Sequence, residues 1–280
     1  MRMNLKRRHL MTAALAAASA PGWAQGLAGG GEDVALQAAV QGAWRSAANR
    51  ARDGARHPYE TLRFFGLAPQ SRVIEISPGG GWYTEILAPY LRAQGWLFAA
   101  HESADDPQES RRNSRRAFDQ KLAARSDVYD RVAVGLMPRG ARFADPLPAG
   151  GVDLVLTFRN LHNWIEAGQI DTLLQAFYAA LRPGGVLGVE EHRAPPGSSV
   201  EWIRKNGYVT EELAIERARA AGFQLAARSE VNANPRDTKN HPNGVWSLPP
   251  TLRGGDVDRD RFLAIGESDR FTHRYVKPAA

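Results

Sequence analysis

Apolar and polar positions between residues 73 and 276 alternate between two periods. Short β-branched and apolar runs at 73–76, 96–100, 130–136, 152–158 and 186–190 read as strands. Residues 82–93, 108–125 and 167–181 carry apolar positions at helical spacing, and the Pro/Gly-rich stretch 137–151 reads as a loop. The pattern then predicts a helix at 210–221 stopped by Gly222, a strand near 223–231 and a last strand at 270–276. Strands that alternate with helices call for a parallel sheet covered on both faces, with the strand C-termini on one edge. Upstream, Val34 to Arg52 predicts one amphipathic helix through Val34, Ala38, Val40 and Trp44. His57-Pro58 opens another, with Pro58 at its first position, Glu60 in its first turn and Gly66 as its stop.

The first 24 residues stand outside that pattern. Arg2, Lys6, Arg7 and Arg8 precede an alanine-rich apolar run, Leu10 to Ala20, and Gly22-Trp23-Ala24 offers small residues for cleavage. This is the layout of an export signal; a membrane span needs about 20 apolar residues. Arg7-Arg8 resembles a twin-arginine signal, although Lys6 stands where Ser or Thr is usual. A general secretory signal and a basic cytoplasmic N-terminus are the alternatives. The expected organisation is an export signal at 1–24, a leader and helix at 25–57, and a main domain at 58–280 with an insertion at 232–269. The expected location is periplasmic or secreted, without stable membrane insertion.

The formal charge is +6, and the four basic residues of the signal supply most of it, leaving about +2. That balance gives no ground for a nucleic-acid partner. Arg111, Arg112, Arg115 and Arg116 cluster, but Glu109 and Asp119 share their helical stretch, so a solvated face is expected. The chain has no cysteine, which rules out disulfides, thiolate metal sites and a cysteine nucleophile.

The most informative stretch is Val73-Ile-Glu75-Ile-Ser77-Pro78-Gly79-Gly80-Gly81-Trp82-Tyr83-Thr84. A strand ends in a carboxylate, a glycine-rich turn follows, and a helix begins. Glycine lets a ligand approach bare main chain, and the helix start points free N–H groups at it. Nucleotide-like ligands bind at such corners of open α/β sheets; a turn that binds nothing is the plain alternative. Walker-type and Gly-x-Ser-x-Gly motifs are absent, and Thr84 stands where Gly-x-Gly-x-x-Gly needs its third glycine.

Glu75-x-Ser77-Pro78-Gly79-x-Gly81 resembles the first motif of class I S-adenosylmethionine-dependent methyltransferases. The segments Asp153 to Trp164 and Leu181 to Val189 resemble their fourth-strand motif and the turn into their fifth strand, in matching order over about 58–231. More narrowly, Gly79 to Pro89, Thr157 to Trp164, Val231 to Lys239 and Ala264 to Arg270 resemble a group of predicted exported bacterial methyltransferases. The resemblance implies a Rossmann-like fold, with a mostly parallel seven-stranded sheet, an antiparallel last strand and helices on both faces. It also implies S-adenosyl-L-methionine as cofactor and a small-molecule acceptor. Ser77, Pro78, Gly79 and Gly81 would then form the cofactor turn, Glu75 would hold the turn and the ligand amine, and Glu102 would take the ribose. Two departures stand out. The family has glycine where this chain has Ser77, and His101 occupies the place of the ribose-binding acid, one residue before Glu102. A one-residue slip along a strand reverses the side chain's face. Glu102 therefore serves only if the strand ends early or bulges; otherwise it is an exposed loop residue.

His162, just past the fourth strand, is the catalytic candidate with Asn160, since an imidazole titrates near neutrality and can take a proton from an acceptor. A half-buried histidine satisfied by backbone is the alternative. Trp164 is expected to wall the pocket. In Glu190-Glu191-His192, alternation puts Glu190 and His192 on one side, able to orient substrate, and Glu191 on the other. A metal shared with His162 lacks a third ligand fixed by spacing, so no metal is expected. The insertion 232–269 reads as a lid bringing Arg236, Asp237 and His241 to the pocket, or as a structural wrap over a sheet edge. Arg270 is expected to pair with an acid. The reading is a methyltransferase acting on a small molecule. Export away from the cytoplasmic supply of cofactor motivates the alternative, a non-enzymatic small-ligand-binding protein on the same scaffold.

Overall fold

The computed structural model describes residues 31–279, and the fold lies in the unit Asp33–Ala280. Its strands are β1 (Arg72–Ile76), β2 (Trp96–His101), β3 (Val132–Leu136), β4 (Val152–Phe158), β5 (Leu181–His192), β6 (Gln224–Ser229) and β7 (Arg270–Val276). They form one seven-stranded sheet in the order β3-β2-β1-β4-β5-β7-β6. Every pairing from β3 to β5 is parallel, and β7 runs antiparallel to both β5 and β6. This is the mixed, Rossmann-like sheet that the resemblance implies. The expected export signal at 1–24 lies outside the described residues.

The helices are α1 (Val34–Val40), α2 (Ala47–Arg50), α3 (Asp53–Arg56), α4 (Pro58–Phe65), α5 (Thr84–Leu91), α6 (Glu109–Ala124), α7 (Ser126–Tyr129), α8 (Leu161–Glu166), α9 (Ile170–Ala180), α10 (Val200–Asn206), α11 (Glu211–Ala220) and α12 (Arg259–Ile265). Alternation along each strand divides the core into two layers. Val73, Leu97, Leu154 and Leu156 pack with Leu62, Phe65, Ile86 and Leu87 on one face. Ile74, Ile76, Val155 and Leu187 pack with Leu161, Leu173 and Phe177 on the other. Both faces are buried, as the near-continuous apolar runs require of parallel strands.

β4 and β7 have the bounds the hydrophobic pattern sets. β5 begins earlier, because Leu181 already pairs with Val152 before an irregular register shift. The single helix expected over 34–52 is instead two short ones, α1 and α2, with α3 following at Asp53. Its chain turns where Trp44 donates its indole N–H to the Glu85 carbonyl (2.8 Å) and the buried Arg45 meets Asp53 (2.7 and 2.8 Å). Those distant partners outweigh helical propensity, and the resulting bend sets Arg52 and Arg56 against Glu267. On α6 Phe118 is the buried residue, and Arg115 pairs with Asp119, as a solvated face requires.

Candidate functional site

The corner between β1 and α5 is built from left-handed residues: Ser77 at φ 48°, Gly79 at 57° and Gly81 at 76°. A side chain added at Gly79 or Gly80 would meet nothing within 4 Å, so this stretch presents bare main chain. Gly81 differs, since a Cβ there would lie 3.1 Å from the Phe118 ring; it packs the turn against α6 and lines no cavity described here. The large neighbours leave the notch free. Trp82 donates its indole N–H to the Asn49 carbonyl (3.0 Å). Tyr83 stacks on Phe158 with centroids 3.5 Å apart and donates its hydroxyl to Glu190 (3.1 Å). Beneath the turn, Glu75 accepts from the Thr84 hydroxyl (2.6 Å). Burial pushes its carboxyl up to about 7, partly offset by the Thr84 hydrogen bond and by Lys121.

Two cavities open along the C-terminal edge of the parallel strands, and Ser77 lines both. The first, about 360 Å³, is bordered by Gly79, Gly80, Arg56, Arg159, His162 and His192. The second, about 830 Å³, is bordered by Glu102, Met137, Asn160 and Trp164.

The end of β2 explains why a histidine stands where the resembling family has an acid. The strand continues through His101, in regular register with Leu136, and turns the imidazole inward. Nδ1 accepts from the Glu102 N–H (2.7 Å), so Nε2 carries the proton and donates to the Gly79 carbonyl (3.1 Å). His101 thus props the glycine turn, and burial holds its pKa below the ordinary value. Glu102 follows just past the strand with no early end and no bulge, yet it is half-buried and borders the second cavity, which corrects the expectation that it would otherwise be an exposed loop residue. Burial raises its carboxyl, with Arg111 acting in the opposite direction.

His162 sits in the first turn of α8, directly after β4. Its Nδ1 lies 3.0 Å from Oε1 of Glu191. That carboxylate also accepts from the backbone N–H groups of Leu161, His162 and His192. With the carboxylate as acceptor, Nδ1 is the donor, and Nε2 is the nitrogen with a free lone pair. Glu191 faces α8, on the side of Leu187 and Val189, while Glu190 faces Tyr83 and Arg159 and His192 borders the cavity with Arg159, as alternation along β5 expects. His192 hydrogen-bonds the Ser268 hydroxyl (2.6 Å), and its ring centroid is 5.3 Å from that of His162. Burial, then His162, Arg159, Arg270 and Arg56, hold it well below its ordinary pKa. Candidate ligand atoms of His162, Glu191 and His192 lie within 4.8 Å of one another. Glu191, however, already uses both oxygens on N–H donors, which favours imidazole positioning.

Glu190 enters a different group. Arg159 and Arg270 donate to its Oε1 (2.8 and 2.9 Å). Arg270 also reaches Glu267 (3.1 Å), which Arg52 and Arg56 contact at 2.7 and 3.0 Å. Arg270 therefore pairs with acids, as expected. Burial alone would raise Glu267, but Arg56, Arg270, Arg52 and Arg159 together hold it down to about 2. Burial and the neighbouring Arg159 push Arg56 down to about 9.

The insertion reaches the first cavity through Val245, Trp246, Pro249, Pro250 and Thr251, and at its end through Glu267 and Ser268, and not through the residues expected. Arg236, Asp237 and His241 line neither cavity. Asp237 is buried and accepts from Tyr208, His241 and the backbone N–H groups of Lys239 and Asp269, so it holds the insertion's own chain. Arg236 is exposed beside Asn234. Glu75, Ser77, Pro78, Gly79, His162 and His192 come together on the first cavity, whereas Glu102, Asn160 and Trp164 meet Ser77 on the second. Asn160 ties two strand ends by donating to the Ile76 carbonyl and the Thr157 hydroxyl. Sequence reasoning missed Arg52, Arg56, Arg159 and Glu267; the Glu267-x-x-Arg270 spacing was the one local signal for that cluster.

No protein-family model and no curated protein matches the chain. Solved structures do. An S-adenosylmethionine-dependent methyltransferase from Aquifex aeolicus superimposes with TM-score 0.53 at 16% identity, over 81% of this chain and 93% of that one. The [4+2]-cyclase SpnF gives 0.55 at 17% identity, over 81% of each chain. A cyclopropane-fatty-acyl-phospholipid synthase-like protein from Lactobacillus casei gives 0.54 at 15%, over 88% of this chain and 100% of that one. The names differ in chemistry, as one fold hosts many activities. Together with the strand order, these likenesses establish that the chain has the Rossmann-like fold found in class I S-adenosylmethionine-dependent methyltransferases.

Proposed function

We propose that the protein transfers a methyl group from S-adenosylmethionine to a small-molecule acceptor. The observation that carries this reading is the position of Ser77 on both cavities, with an acid on one and an oriented imidazole on the other. The residues fit the cofactor. Gly79 and Gly80 leave main chain bare on the first cavity, beside Ser77, where an amino-acid moiety can lie, and Glu102 offers carboxylate oxygens in the lining of the larger cavity, which Ser77 also borders. Bound S-adenosylmethionine supplies an electrophilic methyl group on a sulfonium, so alignment and exclusion of water are the protein's main tasks. Trp164 walls the cofactor side, and Asn160 keeps the ends of β1 and β4 together there. On the acceptor side His162 receives the proton of a hydroxyl or amine at Nε2 while Glu191 holds Nδ1–H.

Calorimetry with S-adenosylmethionine and its demethylated product tests the assignment. Saturable binding, weakened roughly tenfold or more by Gly79→Val, is expected. A folded protein that binds neither compound would overturn it. We further propose that residues 1–24 direct export by the twin-arginine route; an unprocessed cytoplasmic product in fractionation, unaffected by R7K and R8K together, would reject this.

A further inference from the structure

We propose that the 360 Å³ cavity binds an anionic acceptor, a ring-sized planar molecule whose carboxylate or phosphate is met by Arg52, Arg56 and Arg159. The proposal rests on the methyltransferase reading for the word acceptor, but the anion site stands on its own observations.

The first is a charge imbalance. Four guanidinium groups, of Arg52, Arg56, Arg159 and Arg270, share the two carboxylates of Glu190 and Glu267. Three of those arginines border the cavity, and Arg270 stands behind them. The other groups facing this cluster do not restore the balance. Glu191 is turned onto backbone N–H groups, and the Tyr83 hydroxyl is a donor to Glu190. Glu75 is buried with its carboxyl raised, and burial together with the arginines disfavours the charged form of His192. Surplus guanidinium in a partly desolvated wall is costly unless an anion completes it.

The second observation is an unmet donor. Nη2 of Arg52 is buried and has no hydrogen-bond partner among the described residues, while its Nε is held by Glu267. A guanidinium held at Nε with Nη2 unmet has a donor left for an anion's oxygen, the chemistry of carboxylate and phosphate recognition. The third is shape. Tyr83, Phe158 and Trp246 line the same space together with Pro249 and Pro250, which suits a flat ring carrying an anionic end. Arg159, at the junction of β4 and α8, holds φ 61°, a backbone outlier for a non-glycine residue at the site's edge.

Benzoate, phenyl phosphate and uncharged benzamide serve as probes, titrated calorimetrically into the full chain beside S-adenosylhomocysteine. At least one anion is expected to bind roughly tenfold tighter than benzamide, and the tighter of the two identifies carboxylate or phosphate as the source. Arg52→Gln should weaken that anion roughly tenfold and leave S-adenosylhomocysteine binding unchanged, because Glu267 keeps Arg56 and Arg270. Arg52→Lys, which keeps the charge, should restore part of the loss. Equal binding of benzamide, no binding of either anion, or an Arg52→Gln variant with undiminished anion affinity would each overturn the proposal. Anion binding without S-adenosylhomocysteine binding would support this site and sink the methyltransferase reading; the reverse result would do the opposite.

Discussion

Nδ1 of His162 and Oε1 of Glu191 lie 3.0 Å apart, and this contact decides which imidazole nitrogen is basic. The carboxylate can only accept, so the lone pair is on Nε2. His162→Ala is expected to slow methyl transfer to a proton-bearing acceptor by about 10²–10⁴ while S-adenosylhomocysteine affinity holds. Glu191→Gln should cost rate and stability together. It sets an amide N–H₂ against the N–H groups of Leu161 or His192, at about 1–3 kcal/mol. Single-turnover rates and urea unfolding separate the effects; a fully active His162→Ala variant would remove the imidazole from the chemistry.

The sheet was legible because its central strands β1, β2, β4 and β5 are mostly buried and their neighbours do not contradict the pattern. β4 and β7 match their apolar runs, and α4 begins at Pro58 and stops at Gly66. The region 34–52 was not legible, since its geometry depends on Trp44 reaching Glu85 and Arg45 reaching Asp53. The site divides in the same way. His162 was legible as a cavity residue because it directly follows β4 at the C-terminal edge of the parallel strands. Arg52 and Arg56 were not, because the carboxylate they meet lies 215 and 211 residues away. Asp237 and His241 looked like pocket residues in a polar insertion, but a long loop packed against a domain has its own buried N–H groups to satisfy. Asp237 does that work for Lys239 and Asp269.

Glu75 should make stability depend on pH in an unusual direction. Burial raises its carboxyl from 4.5 to about 7, so the folded chain binds the proton more tightly than the unfolded one. Its contribution is fully present below about pH 4.5 and is lost as pH rises through about 7, an effect on the order of 3 kcal/mol. Glu75→Gln keeps an acceptor for the Thr84 hydroxyl and removes the titration. The stability of this variant relative to the parent should rise from about pH 5 to about pH 8, measured as urea midpoints. A pH-independent difference would show that Glu75 does not titrate in this range.

Substitutions at two positions of one turn should have opposite signs. Ser77 holds a left-handed φ of 48° that glycine adopts freely, and among the described residues its hydroxyl contacts only the weak acceptor Sδ of Met137, at 3.4 Å. Ser77→Gly should stabilise by about 0.5–1 kcal/mol after glycine's own entropy cost. Gly81→Ala adds a Cβ 3.1 Å from the Phe118 ring at φ 76° and should destabilise by about 1–3 kcal/mol. Thermal midpoints of the two variants test the pair, and a stabilising Gly81→Ala would show that α6 yields to the turn.

Arg270 is the arginine whose loss the fold should feel most. It is 1% exposed, donates from Nη1 to both Glu190 and Glu267, and donates from Nη2 to the Ala55 carbonyl, joining β7 to α3. Arg270→Met leaves the Ala55 carbonyl without this donor and takes one of several guanidinium donors from each carboxylate, while Arg159 stays on Glu190 and Arg52 and Arg56 stay on Glu267, a loss of about 1–3 kcal/mol. Arg52→Met at the cavity rim, with a quarter of its side chain exposed, should cost about 1 kcal/mol or less. Acid unfolding gives an independent reading. Glu267 is held to about 2, so the stability it contributes above its unfolded value of 4.5 is lost as pH falls through about 2. Without Arg270 that carboxyl is less depressed, and the acid midpoint, followed by circular dichroism, should move to higher pH. Equal shifts for Arg270→Met and Arg52→Met would mean that the cluster does not distinguish its buried member from its rim.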